Sequence, residues 1–445
     1  MEASSSRPSD LAEVVFHELQ TRYPGSLQAD SACPSREVLT NLFEAMYFAS
    51  MDTEEGEPIR FHVVYLDPDV SDAHLAATPP AARWARVRFG ESIPATLPNL
   101  VKLAMASDPR ASSLALYHDA DGRLFVWGLV DQGNRYYDYI THAVDRSYER
   151  PGLFQANIIG IGRVSADIGY ERIAVLWIDT LRSVPHDVLA EGPIRDSLQP
   201  GIRSFIDAVH GGLPDGVYER RPEVDASLTG EWRSSLSRLL LGVQHLFHGG
   251  AVLITPDASR RGLDIKYEID YPRLRSALHE AALFRIREAH ARERIAEEYL
   301  ERKAEEIPVR LYREQLMCSH QWQKHQTELD GTIRFISLLS RVDGLILMDD
   351  NLDVHGFGVM IGAGKDPSEV YVAGDGYATQ SELRRLDPNH YGSRHRSMMR
   401  YCSHNPGSVG FVISQDGAVR AMTQVHGRVV MWENLRLRRL QYLTR

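Results

Sequence analysis

The stretch that decides the fold is Asp343-Gly344-Leu345-Ile346-Leu347-Met348, followed by Asp349-Asp350-Asn351 and then Val354-His355-Gly356-Phe357-Gly358-Val359. An apolar run, an acidic turn and a second apolar run spell a β-hairpin. The Asp-Gly pair at its start puts a carboxylate at the strand end, where the glycine lets backbone approach closely. Further along, Gly392-Ser393-Arg394-His395-Arg396-Ser397 opens a helical pattern. A glycine turn, a hydroxyl, two arginines around a histidine and a helix start are the ingredients of a polyphosphate cradle.

Upstream of the hairpin, Trp232–His248 has helical spacing, with Leu236, Leu239, Leu240, Val243 and Phe247 on one stripe. It leads through His248-Gly249-Gly250 into the apolar strand Ala251-Val252-Leu253-Ile254. Pro272 to about Glu306 is helical in pattern and dense in charge. Thr327–Arg341 is a further helix. Downstream, Gly407–Ile413 reads as a strand, Ser414-Gln415-Asp416-Gly417 as a turn and Val419–Met422 as another strand.

This order of elements, with its Asp-Gly and Gly-Ser-Arg-His-Arg motifs, resembles the diadenylate cyclase domain family over roughly residues 230–430. It is nearest to the branch described as a probable sensor domain, DACNV. In that branch Gly356-Phe357-Gly358 and Ser414-Gln415-Asp416-Gly417 are expected patterns. The resemblance implies a mixed-sheet α/β domain that binds nucleoside triphosphates with Mg²⁺ or Mn²⁺. Asp343 would be the metal ligand near the attacking ribose 3′-hydroxyl and a catalytic residue, with Arg394 and Arg396 as catalytic residues that hold the triphosphate. Gly344, Leu345, Gly392, Ser393, Arg394, His395, Arg396, Ser397 and Ser414 would form the nucleotide and phosphate contacts. The implied activity is that of a nucleotidyltransferase joining two nucleotides into a cyclic or linear dinucleotide signal, in a bacterial signalling or antiphage pathway. A homo-oligomer with facing sites and an effector protein reading the signal would be its partners. Two positions depart from the cyclase pattern. Leu345 stands where cyclases carry alanine, and Gln415-Asp416 where they carry two glutamates. The alternative is therefore a non-catalytic, DACNV-type nucleotide sensor.

The N-terminal half is α/β without a legible site. Leu11–Tyr23 and Arg36–Phe48 have helical spacing, Ile59–Leu66 reads as a strand, and strands are expected at Gln155–Val164 and Glu171–Ile178. Ser112–Val130 is a hairpin about Asp119-Ala120-Asp121-Gly122 and echoes the hairpin at 343–359. It is either half of an internal duplicate or a coincidence of two hairpins. Leu198–His210 is another helix, and the glycine- and proline-rich Gly211–Glu223 marks the boundary between domains 1–225 and 226–445.

Composition bounds the partners. The 445 residues carry a formal charge of −10, which argues against long nucleic acid as a ligand. Of the 50 basic residues only five are lysine, a bias that suits a GC-rich genome as well as phosphate chemistry. No apolar run reaches membrane-spanning length and the start lacks a signal-peptide pattern, so a cytoplasmic protein without membrane partners is expected. Cys318-Ser319-His320 and Cys402-Ser403-His404 lack the spacing of a zinc site.

Overall fold

The computed structural model describes residues 6–21, 33–54, 56–69, 85–108, 112–131, 154–168, 171–183, 186–214, 220–244, 246, 248–256, 260–298, 308–362, 364–414, 418–433, 435 and 437. Gln415, Asp416 and Gly417 thus lie outside the described residues, as does Phe247. The chain forms two compact units, Met1–Pro185 and His186–Arg445, each with its own mixed α/β architecture. The division falls ahead of the expected position at 225. The reason is packing: helix Gly192–Gly211 buries Ile194, Leu198, Ile202 and Val209 in the second core, so the Gly211–Glu223 segment is internal to that unit.

In the first unit, helices α1 (Pro8–Thr21), α2 (Arg36–Ala49) and α3 (Leu97–Ala104) cover one face of an eight-stranded sheet. Its strands are β3 (His62–Tyr65), β4 (Ala85–Pro94), β5 (Ser112–His118), β6 (Leu124–Asp131), β7 (Phe154–Gly160), β8 (Arg163–Ile168), β9 (Glu171–Trp177) and β10 (Thr180–Ser183). Two short strands, β1 (Thr53–Glu54) and β2 (Glu57–Pro58), pair separately. The run expected as one strand at 155–164 is a hairpin, because Gly162 adopts φ +63° and reverses the chain.

In the second unit, strands β11 (Gly250–Ile254), β12 (Leu263–Tyr271), β13 (Leu345–Met348), β14 (Val354–Ile361), β15 (Val370–Ala373), β16 (Leu383–Leu386), β17 (Val409–Ile413), β18 (Val419–Val425) and β19 (Arg428–Trp432) form one sheet. Their spatial order is β12-β14-β13-β11-β17-β18-β19-β15-β16. Strand residues alternate between two cores. Val252, Ile254, Ile346 and Met348 face a layer built by α4 (Gly192–Gly211), α5 (Pro222–Gln244), α6 (Arg273–Ala296) and α7 (Val309–Leu339). Ala251, Leu253, Leu345 and Leu347 face α8 (Ser393–His404) through Met398, Met399 and Cys402. Burial pushes the Cys402 thiol up to about 12.

Helices α6 and α7 run antiparallel, as the pairings Arg273–Glu328 and Arg294–Glu314 show. Of the charge-dense pattern read from Pro272 to about Glu306, Arg273–Ala296 forms α6 and residues 299–307 lie outside the described ones, while α7 begins well before the helix read at 327–341. Before Thr327 only Leu311 and Gln326 of α7 are buried, so that part has no apolar stripe to read. Among the described residues no helix is long and apolar enough to cross a membrane.

The two sheets share a plan. Reading β4-β6-β5-β3-β7-β8-β9 against β12-β14-β13-β11-β17-β18-β19, strands match in chain order, spatial neighbours and direction. In both, one parallel pair (β3 with β5, β11 with β13) is flanked by antiparallel neighbours. The Leu66 amide donates to the Leu116 carbonyl as Thr255 does to Met348, so the registers coincide as well. The echo between the hairpins at 112–130 and 343–359 therefore extends over seven strands.

Two positions test this architecture. Gly344 has φ +118°, and a Cβ there would lie 2.5 Å from the carbonyl carbon of Gly358. Gly344→Ala is expected to cost the protein about 2 kcal/mol or more in chemical denaturation. Glu231, 4% exposed on α5, is paired with Arg285 of α6. Arg285→Met leaves that carboxylate buried alone and is expected to cost about 3–5 kcal/mol, most of it regained in the double variant with Glu231→Leu.

Candidate phosphate-binding site

Strand registers gather the motifs at one end of the second sheet. β13 runs parallel to β11, so Asp343-Gly344 lies at the end where β11 begins. Gly250 of β11 pairs with Ile413, the last residue of β17, so Ser414 and the start of β18 lie at that end too. β19 runs against β18 and finishes there, placing Glu433 at the same end. The first turn of α8 reaches the same end, because His395 meets Arg420 of β18.

The helix start is electrostatically unusual. Gly392 occupies the N-cap without any side-chain cap, and the first turn holds no acidic residue. It instead holds Arg394, His395 and Arg396, the reverse of the charge that a helix N-terminus favours. The Arg396 Nε is buried with no hydrogen-bond partner among the described residues. Such an end, without a side-chain cap and with guanidinium forks, is complementary to a phosphate.

Beneath the turn lies a residue that sequence reading passed over. Arg420 is 9% exposed and is the one charged residue of β18. Its Nη1 donates to the Ser414 Oγ at 2.8 Å and stands 3.3 Å from the His395 Nε2. Since a guanidinium can only donate, the His395 Nε2 on this side is the acceptor. The Arg420 Nε lies 3.7 Å from Glu433, whose carboxylate also accepts from the Tyr391 hydroxyl at 2.6 Å. The Arg420 guanidinium lies 5.6 Å from the centre of the Tyr391 ring, and the Tyr391 and His395 rings are 5.3 Å apart. Four chain segments are thus tied together through Arg420. A lone arginine in the apolar run Val419–Met422 was the available signal.

The remaining expected site residues divide. Asp343, Gly392 and Ser393 are exposed at the gathered end. The Ser397 hydroxyl is turned back onto the Arg394 carbonyl at 3.1 Å, within the helix. Leu345, 5% exposed, belongs to the core against α8, so its volume is absorbed by packing with Met398 and Val359. His355, outside the cradle, pairs with Asp349 at 3.1 Å.

The donor set bears on a divalent cation. Among the described residues, no three His, Cys, Asp or Glu side chains come together to hold an ion. Asp343 offers one carboxylate, and Mg²⁺ commonly needs no more than one or two from the protein when phosphates complete its shell. On the Ser414 side the fit fails: the hydroxyl oxygen already accepts from a guanidinium, whose charge repels a second cation.

In the first unit, the shared register sets Ser165 at the position of Arg420. That copy of the fold lacks the buried guanidinium at this place.

No curated protein and no solved structure matches the chain. A family model described as "Probable sensor domain DACNV" matches residues 28–131. This range covers α2, β1 to β6 and α3 of the first unit, whereas the resemblance read from the sequence lay over 230–430. Gly356-Phe357-Gly358 and Ser414-Gln415-Asp416-Gly417 fall outside the match; a probable sensor domain is what the N-terminal part of the chain is similar to.

Proposed function

We propose that this protein is a nucleotide sensor whose C-terminal unit binds a nucleoside polyphosphate at the uncapped start of α8. The observation that carries the reading is the start of α8, which has no side-chain cap and no acid in its first turn, carries Arg394 and Arg396, and meets Arg420 through His395. Positive charge gathered at a helix N-terminus is costly in the empty state and is relieved by an anion. The match of residues 28–131 to a probable sensor domain is consistent with a sensing role. Nucleotide binding would stabilise α8 against β18, and that change is what a partner would read.

A second reading, a diadenylate-cyclase-like nucleotidyltransferase, is favoured by one observation: Asp343 stands exposed at the same sheet end as the arginines. In that reading the phosphate contacts position the triphosphate and Asp343 lies toward the attacking hydroxyl. A homo-oligomer with facing sites would be required.

Titrating the full chain with ATP and GTP in a calorimeter tests the binding claim. Arg394→Ala is expected to weaken the complex by about tenfold to a hundredfold, the worth of a charge-assisted bidentate contact. Unchanged affinity in that variant would remove the helix start as the site. Incubation with each NTP and dNTP in the presence of Mn²⁺, followed by mass spectrometry, separates the two readings. The sensor reading expects no pyrophosphate and no dinucleotide; a product that disappears in Asp343→Asn would establish the enzyme instead.

A further inference from the structure

Arg420 lies where the sheet face passes under the first turn of α8, and the carboxylate that meets its charge is that of Glu433, 3.7 Å from its Nε. Ser414 and His395 are neutral acceptors for its Nη1, and Glu433 is shared with Tyr391. A guanidinium 9% exposed is retained at a cost unless its charge is used. The first turn of α8, which meets it through His395, carries Arg394 and Arg396 and the positive end of the helix. These groups together present the charge that a divalent cation ordinarily brings to a polyphosphate. They also occupy one of its oxygens, since the Ser414 Oγ is engaged by Arg420.

We infer that the site binds its nucleoside polyphosphate without a divalent cation, the fixed charge of Arg420 standing in for the metal. The inference rests on the nucleotide-binding reading above and specifies how that ligand is neutralised. Arginine suits this use: it stays charged at any physiological pH, and its planar fork meets phosphate oxygens in fixed geometry. Arg420 acts through position. It holds His395 by the Nε2 and Ser414 by the Oγ, so both ends of the cradle are set before the ligand arrives.

The test is calorimetric titration of the full chain with ATP and GTP, once in excess EDTA and once in excess Mg²⁺. The dissociation constants in the two conditions are expected to agree within about twofold. In EDTA, Arg420→Gln is expected to bind about tenfold more weakly, and Mg²⁺ to restore part of that loss, because the ion then supplies the missing charge. Arg420→Lys, which keeps the charge but loses the fork, is expected to bind in EDTA more weakly than the parent and more tightly than Arg420→Gln. A purely structural role for Arg420 would leave Mg²⁺ without effect on the Gln variant, and that result overturns the inference. So does binding by the parent chain that is seen in Mg²⁺ and lost in EDTA, although nucleotide sensing would then survive. Absence of binding in both conditions removes the sensing reading and the inference together. The comparison on the parent chain stands even where a variant fails to fold, which melting curves report.

Discussion

The pairing of β11 with β13 is the constraint from which the rest of the C-terminal unit follows. Two parallel neighbours cannot be joined by a tight turn, so the chain must leave the sheet and return. It does so through β12 and the antiparallel pair α6 and α7, which bury the Val252, Ile254, Ile346 and Met348 side of the sheet. A strand buried on both faces reads as an unbroken apolar run, and Ala251-Val252-Leu253-Ile254 is such a run. The opposite face is left for α8. Its Met398 fits only because β17 has Gly410 beneath it, where a Cβ would lie 2.3 Å from the methionine side chain. Close seating of the helix there brings its first turn over Arg420.

The same pairing fixes where Asp343-Gly344 must be. Gly344 enters β13 against Gly358 of β14, with both glycines in positive φ. Neither position tolerates a side chain at that approach, so the Asp-Gly and Gly-Phe-Gly patterns are two halves of one backbone contact. Phe357, between the glycines of its own pattern, stacks on Tyr267 of β12 at 4.8 Å. The motifs are thus structural as well as chemical: they set the end of the sheet at which the helix start, Ser414 and the start of β18 converge.

Much of this was legible in the residues, and what was not has physical causes. The hairpins announced themselves through Asp119–Gly122 and Asp349–Asn351, because turn residues are chosen for backbone reasons that act locally. The helices α2 and α8 were legible from apolar spacing and from the glycine before the Arg-His-Arg triplet. The first half of α7 was hidden, since a helix that buries little writes little periodicity. The boundary between units was misplaced for a related reason. Glycine and proline mark a turn equally well inside a unit and between two, and only the burial of α4 distinguishes them. Leu345 drew attention as a departure at a motif position, yet strand alternation sends it into the core with Leu347. Arg420 went unread because its partners, Ser414, His395 and Glu433, come from three other segments that only the sheet brings together.

The seven-strand plan common to both units has a consequence for how such a site can change. In an assembly of identical subunits every substitution appears in each of them at once, so the halves cannot drift apart. Two copies of a plan within one polypeptide are free of that symmetry. Ser165 can stand where its counterpart is Arg420 without that choice being imposed on the other copy. Division of labour then becomes heritable: one copy can retain charge for a ligand while its twin keeps the scaffold and is released for another task, always in a ratio of one to one.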